Sequence, residues 1–188
     1  MERLHKYAIF VWAKIQRHIF STMKKQGLDP LLCPHPDILI LGSLPGDRSL
    51  ELQEYYGHPQ NRFWRVMSAL SNRPLPQSYE EKKSLLSDSG VILWDVYACA
   101  SRPGSLDADI REAEFNDIAS LLSDYPGIRT VATNGRTAET AFRKYCRQYP
   151  AVQELVDTVL RFCPLPSTSP ANASWSLPRL IQEWRQII

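Results

Sequence analysis

Four short, continuous apolar runs limit what this chain can become: DILILG (Asp37 to Gly42), GVILWDV (Gly90 to Val96), IRTVATN (Ile128 to Asn134) and TVLRFCPLP (Thr158 to Pro166). A strand with one wet face alternates apolar and polar residues, whereas an unbroken apolar run fits a parallel strand covered on both faces. Parallel neighbours need long crossovers, and helical patterns fill the intervals. Phe63 to Leu70 carries apolar residues at three- and four-residue spacing. Tyr79 to Leu86 follows Ser78, a fair N-cap with Glu81 three residues on. Phe115 to Leu122 and Thr137 to Tyr145 repeat the pattern, and Leu177 to Ile188 puts Leu180, Trp184 and Ile187 on one stripe. Strand–helix alternation predicts an α/β fold, a three-layer α/β/α domain with a central, mainly parallel four-stranded sheet. The 188 residues divide into an N-terminal helical extension over 1–30 and one domain over 31–188.

Composition excludes more than it selects. A hydrophobic fraction of 44% and a charged fraction of 22% describe an ordinary globular protein. The formal charge of +2 permits nucleic-acid contact without identifying it, so any charge facing a polyanion must be local. Cys33, Cys99, Cys146 and Cys163 form no CxxC pair, which argues against zinc or iron–sulfur ligation. They read as small buried side chains in a reduced, cytoplasmic setting. The segment His5 to Phe20 is a basic amphipathic pattern, too short and too charged to span a membrane and without a cleavage site. It reads as a peripheral packing helix or as sequence upstream of the true start, for which Met23 is a reasonable position.

The four runs lead into polar, turn-rich loops: GSLPGDRS, YACASRPGSLD, NGRT and LPSTSPAN. Open α/β sheets bind ligands beyond the carboxyl ends of their strands, so Ser43, Asn134, Ser167 and Asn172 are predicted to surround one cleft. The first loop lacks the Gly-Lys-Ser/Thr of a phosphate loop and the GxGxxG of a dinucleotide site. No Ser-His-Asp arrangement is visible, and the four histidines are not at ligand spacing. No metal and no cofactor are expected. Shortly after the first loop, YYGHPQNRFW sets Tyr55, Tyr56, His58 and Asn61 just before a helix. Two aromatic rings, an amide and a close-approaching backbone suit a flat heterocycle such as a nucleobase. Trp64, Trp94 and Trp184 fall on apolar faces and read as core. Asp95 and Asp107 read as turn or supporting residues without a catalytic role.

Taken together, GSLPGDRSL, YYGHPQNRFW, LWDV, GSLD, the strand ending in NG and LPSTSPAN resemble the uracil-DNA glycosylase superfamily, most closely its hypoxanthine-DNA (deoxyinosine) glycosylase branch. The likeness runs from about Asp37 to Asn172. HPQNRFW also resembles the mismatch-specific uracil/thymine glycosylases, whose first loop carries a water-positioning asparagine. Here that position is Leu44, which cannot hold a water, and this favours the hypoxanthine branch. The resemblance implies a monofunctional, metal-independent DNA glycosylase of base excision repair, a monomer acting on damaged DNA with no membrane partner. It would flip out a deaminated base, hypoxanthine foremost, and hydrolyse its glycosidic bond. The alternatives are a uracil or mismatch-specific uracil/thymine glycosylase, a non-catalytic damage-binding protein of the same fold, and an enzyme acting on free nucleosides or nucleotides.

The same resemblance distributes roles. Asn61 would orient the attacking water, and it is also a natural N-cap for a helix over Arg62–Leu70. Tyr56 would be the stacking platform. Asn134 would accept from hypoxanthine N1–H and donate to O6, or else serve as a left-handed turn residue before Gly135. Ser43 and Leu44 complete the base pocket. Pro45, Gly46, His58, Ser167, Thr168 and Ser169 would approach the DNA backbone, with loop ordering as the other role of His58.

Overall fold

The computed structural model describes residues 24–188; the predicted helix His5 to Phe20 and the alternative start at Met23 lie outside them. The centre is a four-stranded, wholly parallel sheet. Its strands are β2 (Ile38–Gly42), β3 (Val91–Asp95), β6 (Thr130–Asn134) and β7 (Arg161–Leu165), in the order β3-β2-β6-β7. Side-chain alternation on β2 assigns the two faces. The short α1 (Asp47–Leu52) follows the loop after β2. Ile38 and Ile40 point to one side, where α2 (Phe63–Leu70), α3 (Tyr79–Asp88) and α7 (Leu177–Trp184) supply Phe63, Trp64, Leu86 and Trp184. Leu39 and Leu41 point to the other, against α4 (Ile118–Asp124), α5 (Arg136–Gln148) and α6 (Pro150–Thr158) through Leu121, Phe142, Tyr145 and Val152. Both faces are dry, which is why these strands read as unbroken apolar runs. The predicted three-layer α/β/α architecture is therefore observed.

A second, smaller sheet was not foreseen. The chain leaves β3 at Asp95 and enters β4 (Tyr97–Ser101) after a single residue. There β4 pairs antiparallel with β1 (Lys25–Gln26) on one side and β5 (Arg111–Phe115) on the other. Residues 24–30, grouped by sequence with the helical extension, thus carry a strand tied into this sheet. The predicted helix Phe115 to Leu122 is corrected: Phe115 ends β5, and the helix starts at Ile118 after Asp117, whose side chain accepts from the Ser120 N–H at 3.0 Å. Thr158, placed at the head of a strand by sequence, closes α6, and Pro150 opens that helix at a position where its missing N–H costs nothing. Ser78 caps α3 by accepting from the Glu81 N–H, while Glu81 reaches back to Gln77 N–H at 2.7 Å. Trp64 and Trp184 are buried as expected, Trp94 is half-buried, and all four cysteines are free and buried.

Candidate functional site

The carboxyl ends of the parallel strands open on a cleft of about 540 Å³. Ser43, Asn134, Ser167 and Asn172 all line it, together with Leu44, Pro45, Gly46, Tyr56, His58, Asn61 and Ser169. Thr168 does not; its side chain is wholly buried behind the wall, which corrects its placement at the DNA backbone. Asp95 and Asp107, expected as turn or supporting residues, line the cleft as well.

Thr168 instead joins the two asparagines. Asn134 Oδ1 accepts from the Thr168 N–H at 2.9 Å, and Asn134 Nδ2 donates to Thr168 Oγ1 at 2.9 Å and to the Tyr56 hydroxyl at 2.8 Å. The Thr168 hydroxyl in turn donates to Asn61 Oδ1 at 2.9 Å, and Asn61 Oδ1 also accepts from the Phe63 N–H at 3.0 Å. Because the Phe63 N–H can only donate, it fixes which end of the Asn61 amide is oxygen. Nδ2 is left without a protein acceptor among the described residues. The helix begins at Phe63 rather than Arg62 and its N-cap is Arg62, so Asn61 stands one residue ahead of the expected capping position and holds the first helical N–H through an Asx turn. Asn134 is a buried strut whose two donors are already engaged, and the left-handed φ of the Asn-Gly pair falls on Gly135, not on Asn134. A Cβ on Gly135 would sit 2.8 Å from Ser167 Cβ, so this position needs glycine for the close approach of the two loops as well as for its φ of +98°.

Tyr56 holds a left-handed φ of +51°, a strained conformation for an aromatic residue that the surrounding contacts must enforce. Its ring stacks on Phe63 at 4.1 Å between centroids, leaving only the opposite face for a ligand, and burial pushes its phenol pKa up. His58 is exposed, and its Nδ1 accepts from the Gln60 N–H at 3.2 Å, which gives it the loop-ordering role.

Two arginines shape the walls by holding backbone carbonyls. The Arg102 side chain is fully buried beneath the first loop and donates to the carbonyls of Leu44, Pro45 and Gly104, with Asp107 at 3.5 Å as its counter-ion. Asp107 Oδ1 also accepts from Ser43 Oγ at 2.8 Å, and burial raises its carboxyl pKa above the ordinary range. Arg62 gathers the late loop, donating to the carbonyls of Thr168, Ser169, Asn172 and Trp175. Arg62→Ala is expected to cost about 1.5–3 kcal/mol in urea unfolding, on the scale of lost charge-assisted hydrogen bonds. It should also speed amide exchange across 167–175. An unchanged midpoint with unchanged exchange there would show that the loop stands without it. Neither arginine announced itself in the sequence, because a carbonyl-binding role depends on loop conformation, which no periodicity encodes.

Asp95 was missed for a similar reason. It ends β3 at the floor of the cleft, 4% exposed, with Oδ2 shielded and unpartnered. Burial first, and then the neighbouring Asp107 charge, push its carboxyl pKa up to about 8 against the opposing pull of Arg102. A Cβ on Gly42 would run into Asp95 Oδ1 and come within 3.1 Å of the Tyr56 hydroxyl, so the first-loop glycine is what admits both groups.

Residues 30–187 match the profile of the uracil DNA glycosylase superfamily. The chain belongs to that superfamily. Among relatives of this glycosylase-family chain, a hypoxanthine DNA glycosylase of Methanosarcina acetivorans is 41% identical over 62% of this chain and 74% of its own length. One of Methanosarcina barkeri is 38% identical over 61% and 73%. A G/U mismatch-specific uracil DNA glycosylase of Schizosaccharomyces pombe is 32% identical over 54% of this chain and 34% of that protein. A solution NMR structure of a candidate uracil DNA glycosylase from M. acetivorans superposes with a TM-score of 0.72 at 35% identity, covering 88% of this chain and 96% of that one. Superfamily membership accords with a site lying where the strand-end loops converge. Among the described residues no helix is long and apolar enough to cross a membrane.

Proposed function

We propose that this chain is a monofunctional DNA glycosylase that draws a deaminated base, hypoxanthine foremost, into the strand-end cleft and hydrolyses its N-glycosidic bond. The carrying observation is the Asn61 amide, fixed through Oδ1 by Phe63 and Thr168, with Nδ2 free among the described residues at a cleft where Leu44 supplies no polar group. That nitrogen can donate to the attacking water and hold it, leaving a second lone pair of the water for C1′ of the sugar. Tyr56 offers its open ring face to the base. Flipping removes the base from the duplex stack, and stacking on an aromatic ring returns about 1–3 kcal/mol. The two relatives named hypoxanthine DNA glycosylase support hypoxanthine as the first substrate to test.

No lysine lines the cleft among its described residues, which favours direct hydrolysis over a covalent amine intermediate. Exposed Arg48 on the rim, and Arg62 with exposed Arg65 beside it, give local positive charge suited to phosphates despite the small net charge. Pro45, Gly46, Ser167 and Ser169 would lie along the strand entering the cleft. We read the enzyme as a monomer, and four free thiols fit a reducing cytoplasm.

The deciding experiment is a panel of duplexes bearing hypoxanthine, uracil, xanthine or a thymine mismatch, scored for alkali-labile abasic sites. Fastest cleavage at hypoxanthine is expected. Fastest cleavage at uracil would favour the second reading, which the S. pombe relative supports; no cleavage of any member would leave a damage-binding protein.

Within this reading Asn134 acts as a strut. Asn134→Ala frees Thr168 and Tyr56 together, and it should lower excision of every accepted base by a similar factor, about tenfold to a hundredfold. A loss confined to hypoxanthine would instead mean that the amide exchanges its internal bonds for the base edge.

A further inference from the structure

The rim of the cleft carries an apolar side chain that hydrolysis leaves unused. Leu106 lines the cleft and is 61% exposed. Among the described residues it is the only large aliphatic or aromatic side chain on the cleft that stands exposed. A single exposed leucine is ordinary on a protein surface. What sets this one apart is how firmly its loop is held. Gly104 turns the chain with a left-handed φ of +69°, and its carbonyl accepts from Lys25 Nζ at 2.7 Å and Arg102 Nε at 3.1 Å. Ser105 Oγ accepts from the Asp47 N–H at 2.8 Å. On the far side, the Leu106 carbonyl accepts from the Asp109 N–H at 3.1 Å, and the Asp107 carboxyl binds Ser43 and Arg102. The chain is thus pinned on both sides of Leu106, and the side chain between them faces solvent.

We propose that Leu106 is the wedge that enters the duplex and fills the gap left in the stack by the flipped base. This rests on the glycosylase reading and names the residue that favours extrusion, as distinct from those that hold the base or the water. Extrusion costs pairing and stacking. An apolar side chain inserted between base steps offsets part of that cost, because it covers base faces that would otherwise meet water. The leucine gains in the same step, since its own exposed surface is buried. Its loop is ordered before DNA arrives, so little is lost in fixing it on binding.

The late loop is the other place from which a wedge could come. It brings Pro170 and Ala171 to the same cleft, both exposed. A proline ring and a methyl group reach less far from the backbone than a leucine, and the neighbouring Ser169 and Asn172 are polar. The two sources make different predictions, because a wedge matters only when the base starts inside a stack. A residue that shapes the cleft matters wherever the base starts.

The test compares single-turnover excision of deoxyinosine from a fully paired duplex with excision from the same sequence in a mismatched bubble, where the base is already unstacked. Affinity for a non-hydrolysable 2′-fluoro-deoxyinosine in both settings is followed in parallel. Leu106→Ala should slow the paired duplex at least about tenfold, the scale of a leucine left unburied, and leave the bubble within about twofold of wild type. Leu106→Met keeps apolar bulk and reach, so it should retain most of the duplex rate. Equal losses on duplex and bubble would mean that Leu106 only shapes the cleft, and an unchanged duplex rate would mean that it fills no gap; either overturns the proposal. A duplex-only loss in Pro170→Ala, with Leu106→Ala unaffected, overturns it in favour of the late loop. Wild type that binds the fluorinated lesion without cutting ordinary deoxyinosine overturns hydrolysis, and a loss of duplex affinity alone in Leu106→Ala then still supports the wedge. Wild type that neither cuts deoxyinosine nor prefers the lesion overturns both.

Discussion

Asn61→Ala is expected to slow single-turnover excision at least about a hundredfold while the protein stays folded, the usual scale for losing a positioned catalytic group. The substitution removes the free Nδ2 from the cleft and, with Oδ1, the acceptor of the Phe63 N–H and Thr168 Oγ1 bonds. The lost cap can cost about 1 kcal/mol of stability, which leaves a folded protein to assay. Thr168→Val separates positioning from presence: Asn61 and its Phe63 bond remain, but the link to Asn134 is cut. An intermediate loss of about tenfold is expected there. If both variants excise within a few-fold of wild type under single-turnover conditions, the water is held elsewhere and Asn61 is only a helix cap.

The parts of this fold that were legible in sequence are those with dry faces. β2, β3, β6 and β7 are covered on both sides, so their burial is written into unbroken apolar runs, and α2, α5 and α7 each turn one apolar stripe towards the sheet. β5 shows the limit. REAEF is mostly exposed and charged, and it is a strand only because its backbone pairs with β4. That pairing is long-range information which neither propensity nor period carries. α6 did leave a signal, Pro150 at its first turn, but no helix is expected from the sequence there, and its last residue, Thr158, falls in the expected strand Thr158 to Pro166.

The site divides in the same way. Tyr56, Asn61 and Asn134 sit in motifs with a recognisable spacing, so their convergence could be foreseen. Their division of labour could not, because it depends on which partner each amide atom finds. Thr168 looked like one more hydroxyl in a phosphate-friendly loop, yet it is the buried pin between two asparagines. Arg62 and Arg102 carry no site role in the sequence reading, yet between them they hold seven backbone carbonyls around the cleft. The arginine roles have a physical cause. Loop backbone has no regular ladder to satisfy its carbonyls, so side chains with several donors are recruited, and which side chains serve is decided in three dimensions.

Asp95→Asn is expected to make the protein more stable at neutral pH, by about 4 kcal/mol at pH 7, and no more stable below pH 4. The carboxyl titrates at the ordinary 3.8 in the unfolded chain and at about 8 in the folded protein. Below pH 3.8 both states hold the proton, and nothing is lost. Between the two values the folded state keeps a proton that the unfolded state has released, so wild-type stability falls by about 1.4 kcal/mol for each pH unit. Three such units separate the unfolded value from pH 7, and above pH 8 both states are ionised and the loss levels off. Asparagine has the same shape and no proton to hold, so it escapes the whole dependence. Other titrating groups act on both proteins and drop out of the difference. Urea unfolding of the two proteins at unit pH intervals from 4 to 9 reads that difference directly. A gap that widens to pH 8 and then stays flat is the expected curve; a gap that does not change with pH would mean that Asp95 is ionised in the folded protein and carries no stored cost. A wild type less stable than its own asparagine variant retains the acid at a cost to the fold, as expected of a group kept for what the cleft binds.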